Sequence, residues 1–149
     1  MSILIYAESA EGKFKKVALE LASYAKKVAD SMGTTVTALT VNATDVSELS
    51  KYGVDKVIKV SDSKLTGFSA KAYSNIIEQV AKKEGSKLVL LSSSTDSLYL
   101  APLVAVSLQA GFASNVIGLP VSTSPFQVKR TAFSNKAFNI TAINTDLKL

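Results

Sequence analysis

Apolar and polar positions fall in blocks along this chain, and the spacing within the blocks changes in a regular order. Residues 3–7 form an unbroken apolar run, Ile-Leu-Ile-Tyr-Ala. Such a run fits a strand buried on both faces. The next block repeats every three to four residues, through Phe14, Val17, Ala18, Leu21, Ala25, Val28, Ala29 and Met32. That spacing predicts one helix over 13–32, with Lys15, Lys16, Ser23, Lys26, Lys27 and Asp30 on its wet side. Gly33 supplies the stop. Residues 34–41 are rich in β-branched side chains and read as a second strand. A short helix over 45–51, closed by Gly53, leads to a third strand at 56–60. A second long helix is expected over 69–84, with Tyr73, Ile76, Ile77, Val80 and Ala81 facing inward and Gly85 ending it. Residues 88–91 are a fourth buried strand. The third helix is expected over 100–110, with Pro102 in its first turn and Gly111 ending it.

Alternation of this kind implies right-handed crossovers, hence an α/β fold with three layers, doubly wound around a mostly parallel sheet. From Asn115 the texture changes. Short strands are expected at 116–119, 127–133 and 137–144, with Pro120, Pro125 and Ser134-Asn135 as turn chemistry. The expectation is one more parallel strand followed by an antiparallel C-terminal addition, all within a single domain over 1–149. The last ten residues look extended and lack a closing element, the pattern of a linker or of a subunit that continues elsewhere.

Composition narrows the chemistry. The chain has no cysteine and no histidine. A thiol nucleophile, a disulfide framework, the usual general base near neutral pH and the commonest transition-metal ligand are all excluded. Net charge is +5, but only one of the 17 cationic residues is arginine (Arg130), and there is no tryptophan. Lysines are scattered among acids, with no basic and aromatic cluster, which argues against nucleic-acid readout. No targeting segment is visible. The most apolar later stretch is interrupted by Pro102, Ser107 and Gln109, too short to span a bilayer. A soluble cytoplasmic protein without membrane insertion is expected.

The tightest chemical-looking cluster is Ser92-Ser93-Ser94-Thr95-Asp96-Ser97, between the fourth strand and the third helix. Ligands of doubly wound sheets bind beyond the carboxyl ends of strands, where Ala7, Glu8 and Ser9 also fall. A nucleotide-like edge made of Ala7, Glu8, Ser9, Ser92, Ser94 and Thr95 is therefore one reading. The other is a loop of capping residues and a solvated acid. No P-loop and no Gly-x-Gly-x-x-Gly occurs, and no glycine lies between Gly85 and Gly111, where a phosphate loop would need one. The third helix is apolar on nearly every side, so it is either deeply buried or covered by a partner.

Taken in order, several segments resemble the amino-terminal domain of the electron transfer flavoprotein alpha subunit. They are Ile3-Leu4-Ile5-Tyr6-Ala7-Glu8, Gly12-Lys13-Phe14 with Glu20-Leu21-Ala22, Lys51-Tyr52-Gly53-Val54-Asp55-Lys56-Val57, Leu88-Val89-Leu90-Leu91-Ser92, Leu100-Ala101-Pro102, Ala110-Gly111-Phe112-Ala113-Ser114-Asn115-Val116, and Lys129-Arg130-Thr131-Ala132-Phe133-Ser134-Asn135-Lys136-Ala137. Two departures stand out: Leu103 where the family has arginine, and Asn135 where it has glycine. The resemblance implies an adenine-nucleotide alpha-hydrolase-like fold and a non-catalytic role as scaffold and subunit interface. It implies pairing with a beta subunit in a heterodimer that carries electrons from flavin dehydrogenases to a quinone reductase or other acceptor. FAD would then belong to a C-terminal domain absent from these residues, and AMP to the beta subunit only, so no cofactor-binding residue carries over to this chain. A homo-oligomer of the chain is possible under this reading. The alternative is a small adenine-nucleotide-binding domain of universal-stress-like type, using the Ser92–Ser97 edge together with Ala7–Ser9.

Overall fold

The computed structural model describes residues 2–149. A parallel sheet forms its centre, built from β1 (Ser2–Tyr6), β4 (Thr35–Val41), β5 (Lys56–Val60) and β6 (Leu88–Leu90) in the order β5-β4-β1-β6. Parallel pairing runs Ser2 to Thr35 through Tyr6 to Leu39, and Ile3 to Leu88 through Ile5 to Leu90. Alternate side chains of β1 feed opposite cores. Ile3 and Ile5 pack on α1 (Lys16–Met32), whose inner face is largely alanine. Leu4 and Tyr6 pack beneath α2 (Ala70–Glu84) and α3 (Thr95–Ser107). The result is the three-layer α/β arrangement that the block pattern predicts.

The first helix begins later than its apolar spacing suggests. Residues 13 and 14 instead form β3 (Lys13–Phe14), antiparallel to β2 (Ser9–Ala10). The turn between them is Glu11-Gly12, with φ of 51° and 78°. A two-residue turn with both φ positive suits a tight hairpin. A Cβ on Gly12 would meet Thr44 Oγ1 at 2.2 Å, so only glycine fits there. Phe14 therefore packs on the α1 core from a strand, not from the helix.

The third helix begins earlier, at Thr95, because Ser94 caps it by accepting from the Ser97 amide at 3.1 Å. Pro102 consequently sits in mid-helix. It lies on the exposed side, where water can meet the carbonyl that its missing N–H leaves unbonded. Gly111 does not end this helix; Gln109 does, with φ 51°.

The carboxyl-terminal third carries the expected antiparallel addition, but departs from expectation at residues 116–119 and at its end. Strand 116–119 is reduced to a bridge between Val116 and Arg130. The antiparallel sheet consists of β7 (Ser122–Thr123), β8 (Phe126–Ala132) and β9 (Ala137–Ala142). Arg130 is consumed in holding this sheet to the body, donating from Nε to the Ser114 carbonyl at 2.6 Å and from Nη2 to Ser114 Oγ at 3.0 Å. The extra parallel element comes from the last residues. Lys148 bridges Leu88 on one side and Gly111 on the other, both parallel. Leu149 is buried in the α2/α3 core. The final stretch is thus a sheet element, not a linker, and its pairing lies too far along the chain for local pattern to reveal.

Candidate functional site

The carboxyl edge of the parallel sheet holds the one dense polar cluster that the sequence pointed to. Ala7 is still in the sheet, its amide donating to the Leu39 carbonyl at 2.8 Å. Glu8 follows, and it is only 1% exposed. The β2–β3 turn then reverses the chain, so that the Lys15 amide donates to the Glu8 carbonyl at 3.0 Å. This brings the Lys15 ammonium onto Glu8 Oε2 at 3.0 Å and onto Asp96 Oδ2 at 3.2 Å.

Three hydroxyls close on the other carboxylate oxygen. Ser92, Ser94 and Ser97 each donate to Glu8 Oε1, at 2.5, 2.5 and 3.1 Å. Burial by itself pushes the Glu8 carboxyl up. The hydrogen bonds from Ser92, Ser94 and Lys15 outweigh it and hold the group below the ordinary carboxylate value. Lys15 moves the other way: its hydrogen bond to Glu8 raises it despite partial burial. Both partners shift as an ion pair requires. Two residues before Glu8, burial and then the neighbouring Tyr73 and Glu8 push the Tyr6 phenol far above its usual range.

Of the six edge residues read from sequence, the structure brings Glu8, Ser92 and Ser94 into contact. Ser9 turns away and donates to the Val41 carbonyl at 2.6 Å. Ala7 is fully buried in the sheet, and Thr95 opens α3 with an exposed side chain. Sequence reasoning missed Lys15, which its spacing put on the wet side of a helix. The signal was Glu11-Gly12, a turn pair that folds Lys15 back on Glu8. Ser97, named in the serine-rich cluster but outside the six edge residues, is a third donor one turn into the helix that Ser94 caps.

A second feature lies beside this cluster. Leu98, Tyr99 and Val106 of α3 are 69%, 63% and 79% exposed. With Pro102 and Leu103 they make one apolar stripe at helical spacing, opposite the buried face of Leu100, Ala101, Val104 and Ala105. Leu98 and Pro102 also line a cleft of about 640 Å³ that reaches Val17 and Leu21 of α1 and Phe126 of β8. Among the described residues, no group of three His, Cys, Asp or Glu side chains could hold a metal ion, and no helix is long and apolar enough to cross a membrane.

Fold and cluster together define a Rossmann-like α/β domain whose edge loop is engaged by the chain's own carboxylate. The family model of the electron transfer flavoprotein domain matches residues 3–149. The chain belongs to that family. An electron transfer flavoprotein subunit alpha of Thermoanaerobacterium thermosaccharolyticum is 31% identical over 123 residues, covering 80% of this chain and 37% of that protein. The subunit alpha of Bacillus subtilis is 26% identical over 145 residues, 97% of this chain and 44% of its own length. A lactate dehydrogenase (NAD(+),ferredoxin) subunit LctC of Acetobacterium woodii is 29% identical over 148 residues, 96% of this chain and 35% of its own. The chain therefore spans less than half the length of these curated relatives. A universal stress family protein of Burkholderia pseudomallei superposes at a TM-score of 0.42 and 13% identity over 65% of this chain and 86% of its own. That superposition is too loose to bear on ligand binding.

Proposed function

We propose that these residues form one domain of an alpha-type electron transfer flavoprotein subunit, a non-catalytic scaffold that docks its partners. In this reading the domain holds a beta subunit in a cytoplasmic heterodimer. The heterodimer passes electrons from flavin dehydrogenases to an acceptor such as a quinone reductase. Family membership and alpha-subunit relatives support the role.

The residues present do not fit a flavin. The hydroxyls that would meet a dinucleotide's pyrophosphate at the sheet edge already donate to Glu8. A pyrophosphate there would also face that carboxylate at close range. In this reading FAD is held outside these residues in the heterodimer, and AMP in the beta subunit. The same observation disfavours the universal-stress-like alternative.

The observation that carries the docking role is the exposed stripe of Leu98, Tyr99 and Val106, continuous with the apolar cleft through Leu98 and Pro102. Contiguous exposed apolar surface of this kind marks interaction sites. The test is co-purification and titration with an electron transfer flavoprotein beta subunit. Leu98→Asp with Val106→Asp is expected to weaken binding by at least about tenfold, since two hot-spot side chains are lost, and to leave the circular dichroism spectrum unchanged. Mixing the chain with FAD should yield no stoichiometric bound flavin. Tight flavin binding by this chain alone, or beta-subunit binding indifferent to the two aspartates, defeats the proposal.

A further inference from the structure

We propose that the β6–α3 loop and Lys15 form a carboxylate-binding cradle whose built-in ligand is the side chain of Glu8, and that shortening residue 8 turns it into a receptor for a free small carboxylate anion. The contacts are those of a ligand in a site. One carboxylate, almost wholly out of water, receives three hydroxyl donors on one oxygen and an ammonium on the other. The donors come from two parts of the chain, residue 15 and the loop 92–97, and two of them stay in place by other means. Ser94 is fixed by capping α3, Lys15 by its ion pair with Asp96 and by the backbone bond to Glu8. Removal of the Glu8 side chain therefore leaves converged donors rather than a collapsed loop.

Charge selects the guest. Without Glu8 the nearest charges are Lys15 and Asp96, which balance. A monoanion replaces what was lost, whereas a doubly charged phosphate adds a second negative charge beside Asp96. Shape agrees, since formate and acetate repeat the planar pair of oxygens. In the native chain the cradle is filled, so neither phosphate nor nucleotide has a place in it.

The test is thermal unfolding of the 149-residue chain in sodium formate, acetate, phosphate or chloride at equal ionic strength. Glu8→Ala is expected to melt below the native chain in chloride. Formate or acetate should raise its Tm saturably by roughly 5 °C. Adding Ser92→Ala and Ser94→Ala should abolish that rise. The native chain and Glu8→Gln, whose cradle stays filled, should not respond. If Glu8→Ala is unfolded in chloride, formate must recover its folded spectrum, and failure to do so counts against the cradle. A formate response no larger than the chloride response overturns the proposal. So does a saturable rise of the native chain's Tm with phosphate or AMP, and that arm can be read whatever the variants do. Neither outcome touches the docking role of α3, which rests on a different surface.

Discussion

Helices α1 and α3 cover opposite faces of one sheet and solve the same problem differently. The inner face of α1 is small and apolar, with Ala18, Ala22, Ala25 and Ala29 letting the helix approach β1 and β4 closely. Its outer face is charged and internally paired, Lys16 with Glu20 at 3.8 Å and Lys26 with Asp30 at 2.6 Å. Each such exposed pair contributes only a few tenths of a kcal/mol, but the face is suited to water. In α3, Asp96 is the sole charged residue, and its outer face is Leu98, Tyr99, Pro102, Leu103 and Val106. Both helices bury a stripe against the sheet. Only α1 has an outward side that water suits. Apolar side chains left this exposed add little to the fold, and a partner that covers them accounts for their chemistry.

The sharpest way to break this contrast is to truncate both sides of α3. Leu100 is fully buried beneath the sheet's second face. Leu100→Ala should cost about 3–4 kcal/mol in urea unfolding, as a cavity in a packed core does. Leu98→Ala and Val106→Ala should change stability by less than about 0.5 kcal/mol. A cost at Leu98 close to that at Leu100 would mean that the outer face is part of the fold, and the docking role would lose its basis.

The same contrast governs how much the sequence could reveal. The start of α1 apart, its course was legible, because an amphipathic stripe has a period and Gly33 marks its end. The start of α3 was hidden because a helix apolar on every side has no phase to read. Pro102 then drew the boundary inward, although Ser94 was the better signal as a capping residue. The candidate edge was legible as far as local order reaches, in Glu8, Ser92 and Ser94. Lys15 was not, since its place depends on a tight turn that swaps a predicted helical turn for a strand pair. Nor was the pairing of Lys148 between Leu88 and Gly111, where contacts 37 and 60 residues apart in sequence are set by the assembled sheet.

A smaller effect tests what joins the starts of the two helices. Lys15 precedes α1, Ser94 caps α3, and both contact Glu8. The folded-state value of Glu8 lies below its ordinary 4.5. Its contribution is therefore complete above that pH and is lost as pH falls through the lowered value. The raised value of Lys15 acts at the other end, contributing fully below 10.5 and fading as pH climbs through the raised value. Glu8→Gln should cost about 1–2 kcal/mol at neutral pH, where charge-assisted hydrogen bonds are replaced by neutral ones. It should also flatten the loss of stability below about pH 4.5. Urea midpoints measured from pH 3 to 7 check this. An acid limb of the same steepness in the variant would show that other carboxyls govern it.

The smallest effect lies at the helix ends. Both helices close with the same bond pattern. In α1 the Gly33 amide reaches Asp30 and the Thr34 amide reaches Ala29; in α3 the Gln109 amide reaches Val106 and the Ala110 amide reaches Ala105. The left-handed position is Gly33 in one, with φ 62°, and Gln109 in the other, with φ 51°. A Cβ at residue 33 meets nothing within 4 Å, so its only penalty is conformational. Gly33→Ala should therefore cost about 1 kcal/mol. Gln109→Gly should gain somewhat less than that, because relief of the backbone is partly offset by the extra freedom glycine has when unfolded. Opposite signs in parallel urea titrations would show that the α3 terminus tolerates a strain that glycine spares α1. A loss of stability in Gln109→Gly would instead mean that the glutamine side chain, exposed though it is, holds the last turn of α3 in place.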